Sequence, residues 1–93
     1  MIANLFEVIH ESSNLSFYCF GKIVIGNGGL NELKKVFPNN KLTFNPKYFP
    51  KNNTYSSIQS SQTSVVGELT VKTDGTYLLA GIGASFNVSW IIN

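Results

Sequence analysis

The chain has 93 residues, which suits one domain, residues 1–93, with one small hydrophobic core. Its net charge is +2, and all seven cationic side chains are lysines, because arginine is absent. Nucleic-acid binding needs a concentrated basic surface, usually with arginine, so these scattered lysines argue against a nucleic-acid partner. The single cysteine, Cys19, excludes an internal disulfide, and no Cys and His cluster predicts a metal site or a bound cofactor.

Two further classes are disfavoured by the hydropathy pattern. No apolar run approaches the roughly 18 residues that span a membrane, so we expect no membrane insertion. The N-terminal segment lacks a basic region and carries Glu7, which is not typical of a signal peptide.

The first third of the chain predicts two strands. The first covers Leu5–His10, and residues 11–14 form a turn. The second covers Leu15–Ile25, with Gly21 interpreted as a bulge inside it. Asn27-Gly28-Gly29 then interrupts the chain.

A short helical piece and a long loop are predicted next. Asn31–Phe37 has apolar residues at helical spacing, and Pro38 ends it. Residues 38–53 contain three prolines and predict an ordered loop. Thr54–Thr63 is polar and predicts an edge strand.

The last third predicts a hairpin and a final strand. Apolar and polar residues alternate from Val65 to Lys72, Asp74-Gly75 provides a hairpin turn, and Thr76–Ala80 forms the partner strand. The final strand, Phe86–Ile92, has one apolar row that must be buried in the domain or between subunits. The whole pattern predicts an all-β protein: a small antiparallel β-sandwich or jelly-roll-like barrel with one short helical turn, assembled as a trimer.

Several of these segments carry a resemblance. FYCFGKIVI, LNELKKVFP, FNPKYFP, GELTVKTDGTYLL and FNVSW follow one another between Phe17 and Trp90. This order of strands, prolines and turns resembles the C-terminal receptor-binding heads of phage tail and baseplate proteins, of the type found in phages of low-GC Gram-positive bacteria.

The resemblance implies a specific role. Such heads are β-sandwiches or jelly-roll barrels that form homotrimers on the rest of the phage tail and bind host cell-wall polysaccharide without a cofactor. It therefore implies a virion protein that acts outside the cell. It also implies a saccharide site on the strand before the last hairpin turn, at Glu68 and Thr70, where the family often has His and Asp.

Three other residues are candidates for the same ligand, each with a simpler structural explanation. Trp90 has a ring that suits a pyranose, but its place in the apolar row favours the core or an interface. His10 can form a pH-sensitive contact, although the end of a strand is its default role. Tyr48 lies in the long loop with Phe49, Asn52 and Asn53, an aromatic and amide mixture that suits sugars or simply anchors the loop. Glu68 and Thr70 themselves fit an ordinary solvated strand face.

Two alternatives to the receptor-binding head stay open. One is a structural trimerisation cap of a tail fibre, with no ligand of its own. The other is a cellular jelly-roll trimer of the complement or tumour-necrosis-factor type, which TDGTYLL superficially resembles. An enzyme is not expected, because no spaced pair of Asp, Glu, His or Cys suits acid–base or nucleophilic work.

Overall fold

The computed structural model describes residues 6–60, 65–81 and 83–93. Seven strands, one α-helix and two 3-10 turns follow one another in this part of the chain. Leu5 and residues 61–63, which belong to two of the predicted strands, lie outside the described residues. The bounds of the elements are β1 Phe6–Ser12, β2 Leu15–Phe20, β3 Ile23–Gly29, α1 Leu30–Val36, 3-10 turns Pro38–Asn40 and Pro46–Tyr48, β4 Thr54–Gln59, β5 Val65–Val71, β6 Tyr77–Gly81 and β7 Ser85–Ile91.

The strands form an antiparallel sheet in the order β1-β2-β3-β7-β4-β5-β6, so the predicted antiparallel β fold with one short helical piece is confirmed. The sheet has a four-stranded part, β1-β2-β3-β7, and a three-stranded part, β4-β5-β6. Among the described residues, β4 and β7 pair as strands at two positions, Ile58 with Phe86 and Gln59 with Ser85. Beyond this corner β4 and β7 are unpaired, which opens a gap between the two parts.

Two boundaries differ from the sequence-based prediction. The predicted strand Leu15–Ile25 is a hairpin of β2 and β3, in which Phe20 pairs with Ile23. Gly21 has a φ of +62° at the first position of this two-residue turn, where hairpins of the II′ type favour glycine. The bulge prediction at Gly21 is therefore wrong, because a glycine inside an apolar run also permits a complete reversal. The Gly28-Gly29 break is wrong as well, since β3 continues through Gly29.

The predicted edge strand at Thr54 is also corrected. β4 lies between β7 and β5, and the described edges of the sheet are β1 and β6. The polar composition of this segment suggested an edge. In the structure, however, the Ser56 hydroxyl donates a hydrogen bond to the main-chain carbonyl of Asn87 on β7. A polar strand is stable inside the sheet where its side chains find main-chain acceptors.

Helix α1 and the segment that follows it cover the inner face of the sheet. The helix ends because Phe37 precedes Pro38, which disfavours helical backbone at Phe37. The phenol of Tyr77 donates a 2.6 Å hydrogen bond to the carbonyl of Phe37, which ties β6 to the end of the helix. Phe17 lies at the centre of the core. The centroid of its ring is at most 6.3 Å from the centroids of four other aromatic rings: Phe37, Phe44, Phe86 and Trp90.

The final strand packs within its own chain. Phe86, Val88 and Trp90 are at most 4 % exposed and belong to the core, while Asn87 and Ser89 point outward as predicted. Of the two locations open to this apolar row, the domain interior is correct. The homotrimer therefore loses this strand as a supporting argument and stays a prediction from the resemblance.

Candidate functional site

An open cleft of about 380 Å³ lies in the gap between β7 and β4. The cleft exists because the two strands pair only at the Phe86 end and are bridged again by the main chain at the other end. There the N–H of Lys51 donates a 2.8 Å hydrogen bond to the carbonyl of Ile91. The six residues that line the cleft are Ile23, Asn52, Thr54, Ser89, Trp90 and Ile91.

The walls of the cleft are uncharged. Asn52 offers an amide, and Thr54 and Ser89 offer hydroxyls, so the cleft can both donate and accept hydrogen bonds. The Thr54 hydroxyl donates to the carbonyl of Asn52 at 3.1 Å, which orders this wall and leaves its oxygen lone pairs as acceptors. Ile23 and Ile91 add apolar surface and are 46 % and 60 % exposed.

Trp90 lies at the floor of the cleft with its ring in the core. It is only 4 % exposed, and its indole N–H donates a 2.7 Å hydrogen bond to the carbonyl of Tyr48. Trp90 has the core location that its apolar row favoured, and a covered ring has no open face for stacking on a pyranose. The same hydrogen bond fixes the loop that leads to Asn52.

Glu68 and Thr70 lie elsewhere, on the outer face of the three-stranded part. The register places Ser57 beside Glu68 and Tyr55 beside Thr70. Tyr55 is 62 % exposed, so this face carries an accessible aromatic ring next to polar side chains. The face lies on the flat surface of the strands and outside the cleft, and it remains the second candidate for a ligand.

His10 lies on β1 at the inner side of the sheet. Its Nε2 is 3.2 Å from the Ser12 hydroxyl, and its ring packs edge-to-face on Phe37 with centroids 5.5 Å apart. The Ser12 hydroxyl in turn donates to the carboxylate of Glu32 at 3.3 Å. These contacts join β1 to helix α1, and four strands of the sheet separate β1 from β5, which carries Glu68 and Thr70.

Tyr48 anchors the loop. Its phenol donates to the Glu7 carboxylate at 3.0 Å, and the ammonium of Lys47 lies 5.0 Å from the centroid of its ring. Burial and the hydrogen bond to Glu7 raise the pKa of the Tyr48 phenol above its usual value. Tyr48 and Trp90 are thus brought together through the Tyr48 carbonyl, while neither meets Glu68 or Thr70.

Sequence reasoning singled out Asn52 and Trp90 of the cleft but missed Ile23, Thr54, Ser89 and Ile91. Asn52 was detectable because prolines and amides cluster in its loop. Ile23, Ser89 and Ile91 lie close together because β3 pairs with β7, and Thr54 faces them from β4 across the gap where β4 and β7 do not pair. No local sequence pattern marks such a gap.

Among the described residues, no three His, Cys, Asp or Glu side chains group closely enough to hold a metal ion. The same part of the chain holds no helix with the length and hydropathy of a membrane span. Comparison with protein-family models, with curated proteins and with solved structures finds no match for this chain.

Proposed function

We propose that this chain is the receptor-binding head of a phage tail and that it holds a host cell-surface saccharide in the cleft between β7 and β4. The observation that carries the proposal is the composition of that cleft. An amide and two hydroxyls stand beside the apolar side chains of Ile23 and Ile91. A sugar ring presents hydroxyl groups on its rim and C–H groups on its faces, so both kinds of wall have a counterpart.

The open shape of the cleft implies weak binding by each copy. A ligand held by a few neutral hydrogen bonds and two aliphatic contacts is expected near a millimolar dissociation constant, or about −4 kcal/mol. Many copies on one virion would raise the avidity by roughly 10²–10⁴ without any new contact. Weak sites repeated many times suit reversible attachment to a repeating surface polymer.

The direct test measures binding of the displayed chain to cell-wall polysaccharides from a panel of low-GC Gram-positive bacteria. Display on a multivalent support compensates for weak single-site affinity. We expect Asn52→Ala/Ser89→Ala to lose at least about tenfold in binding, because two hydrogen-bonding groups leave the cleft. The matched control is Ser16→Ala/Asn27→Ala, which removes a hydroxyl and an amide from β2 and β3, outside the cleft and outside the Glu68 face.

A third variant, Glu68→Ala/Thr70→Ala, tests the face implied by the resemblance. The proposal expects it to bind as the unmodified chain does. If only this variant loses binding, the cleft is the wrong site. If no polysaccharide binds to the unmodified chain, the receptor-binding role itself is contradicted and the structural cap is favoured.

A further inference from the structure

Exposed side chains continue along the outer face of the sheet beyond the cleft, on both sides of the gap between β4 and β7. The residue pairs at the corner set the register of the two strands. Continued along the gap, this register places Ser57 opposite Asn87 and Tyr55 opposite Ser89, and all four residues are exposed. Ser89 already lines the cleft. We call the other three, Tyr55, Ser57 and Asn87, the gap rim.

The gap rim adjoins the cleft directly. Tyr55 follows Thr54, which lines the cleft, and Asn87 lies two positions from Ser89 on β7. The hydroxyl of Ser56 donates a hydrogen bond to the main-chain carbonyl of Asn87, so the two strands stay close to each other at the gap rim. Alternate residues of a strand share one face and are about 7 Å apart. The gap rim therefore extends the cleft by roughly the width of a sugar ring.

Tyr55 gives the gap rim an open aromatic surface. Its side chain is 62 % exposed, the largest value among the large hydrophobic side chains of the described residues. Within the described part of the chain, its ring packs on no other aromatic ring and its phenol makes no hydrogen bond. The face of an aromatic ring is electron-rich, so it attracts the weakly positive C–H groups on one face of a pyranose. The ring of Tyr55 is thus free to stack on a sugar.

Asn87 and Ser57 supply the polar part of the gap rim. An Asn amide and a Ser hydroxyl both donate and accept hydrogen bonds, so the pair can bind the hydroxyl groups on the edge of a sugar ring. The gap rim contains no charged residue and repeats the composition of the cleft, with an amide, a hydroxyl and apolar surface. Glu68 and Thr70 lie on the next strand, β5, and are not part of it.

We propose that the gap rim is a second sugar subsite, so that the chain holds two neighbouring rings of one polysaccharide. One ring occupies the cleft. The next ring lies with its C–H face on Tyr55, while its hydroxyls bond to Ser57 and Asn87. The inference rests on the proposed function, since it assigns a place to the neighbour of the sugar in the cleft. It makes the ligand an oligosaccharide segment rather than a single sugar.

Saccharide fragments of different lengths test the subsite. They are prepared by partial hydrolysis of the cell-wall polysaccharide that the chain binds most tightly, and they are separated by length. We expect a two-ring fragment to bind the unmodified chain about threefold to tenfold more tightly than a one-ring fragment, because the second ring adds a stacking contact. Tyr55→Thr removes the aromatic ring but suits a strand, and we expect it to lose this preference. Tyr55→Phe keeps the ring and retains the preference.

The matched control is Leu78→Thr. Leu78 is 47 % exposed and lies in the same row of the outer face, separated from Tyr55 by Thr70. The variant removes a large exposed side chain away from the gap, so we expect the full preference for the two-ring fragment. A second measurement needs no variant. Stacking on an aromatic ring moves the NMR resonances of sugar C–H protons upfield, and we expect this shift in the second ring of the fragment.

The results separate failure of the subsite from failure of the proposed function. A Tyr55→Thr variant that keeps the preference for two rings, or sugar C–H resonances that do not move upfield, overturns the subsite and leaves the cleft as the saccharide site. A loss of preference that Leu78→Thr shares equally overturns the subsite too. If the unmodified chain binds no polysaccharide, both the proposed function and the subsite are overturned.

Discussion

The indole Nε1 of Trp90 donates a 2.7 Å hydrogen bond to the main-chain carbonyl of Tyr48, a residue 42 positions earlier in the chain. This contact joins the last strand to the loop that precedes β4, and so it sets one boundary of the cleft. The inward side chains of this strand, Phe86, Val88 and Trp90, lie in the core of their own domain.

Trp90→Phe is expected to destabilise the fold. The substitution keeps a ring but removes the donor to a carbonyl in a largely covered position, which costs about 1–3 kcal/mol of unfolding free energy. Urea unfolding measures the loss. The control is Tyr48→Phe, which retains the carbonyl acceptor and removes only the surface hydrogen bond to Glu7. An equal or smaller loss for Trp90→Phe would contradict the role assigned to its indole.

Gly26→Ala is expected to strain the centre of the core. A Cβ at Gly26 would lie 2.5 Å from Cδ1 of Phe17, whose ring is 1 % exposed and held by other aromatic rings. To relieve this contact, β3 or the ring must shift against its packed neighbours, so we expect a loss of about 1–3 kcal/mol. Asn27→Ala, at the next and exposed position of β3, is the control in the same unfolding measurement. A Gly26→Ala variant as stable as the control would show that Phe17 moves freely.

Asp74 makes the stability of the β5–β6 turn depend on pH. The Thr76 hydroxyl donates to its carboxylate at 2.6 Å and the Thr76 N–H at 3.0 Å, and these bonds lower the pKa of Asp74. The folded-state pKa of Asp74 therefore lies below its unfolded-state pKa. At pH values above the ordinary pKa of about 3.9, the ionised carboxylate stabilises the fold. This contribution is lost as the pH falls through the folded-state pKa.

Asp74→Asn provides the matching experiment. We expect the variant to be less stable than the unmodified chain near neutral pH and to approach its stability as the pH drops below about 4. Urea unfolding at a series of pH values measures the difference between the two proteins. A difference that is the same at every pH would mean that the charge of Asp74 has no part in the turn.

Local patterns predicted the elements better than their arrangement. The alternation of Phe86, Val88 and Trp90 predicted the inward row of β7, and Pro38 predicted the end of the helix, because both depend on near neighbours in the chain. Gly21 was misinterpreted because a bulge and a two-residue turn use the same residue. Only the pairing of β2 with β3 shows that Gly21, with its φ of +62°, belongs to a turn.

The cleft depends on a non-local event. Gln59 pairs with Ser85 and Ile58 with Phe86, and the pairing of β4 with β7 does not continue from Ile58 toward Thr54. Neither strand contains a proline or a charged residue that would predict where the pairing ends. The row of Phe20, Ile23 and Ile91 was missed for a related reason: Phe20 and Ile23 were assigned to one continuous strand, whereas the hairpin places them side by side.

The central claim is that the gap between β7 and β4 binds a saccharide, and a ¹⁵N NMR titration with cell-wall polysaccharide fragments from low-GC Gram-positive bacteria tests it most directly. The account predicts that the largest shift changes fall on the amides of Asn52, Thr54 and Ser89. Changes centred on Glu68, Thr70 and Tyr55, or no changes at millimolar fragment, would contradict it.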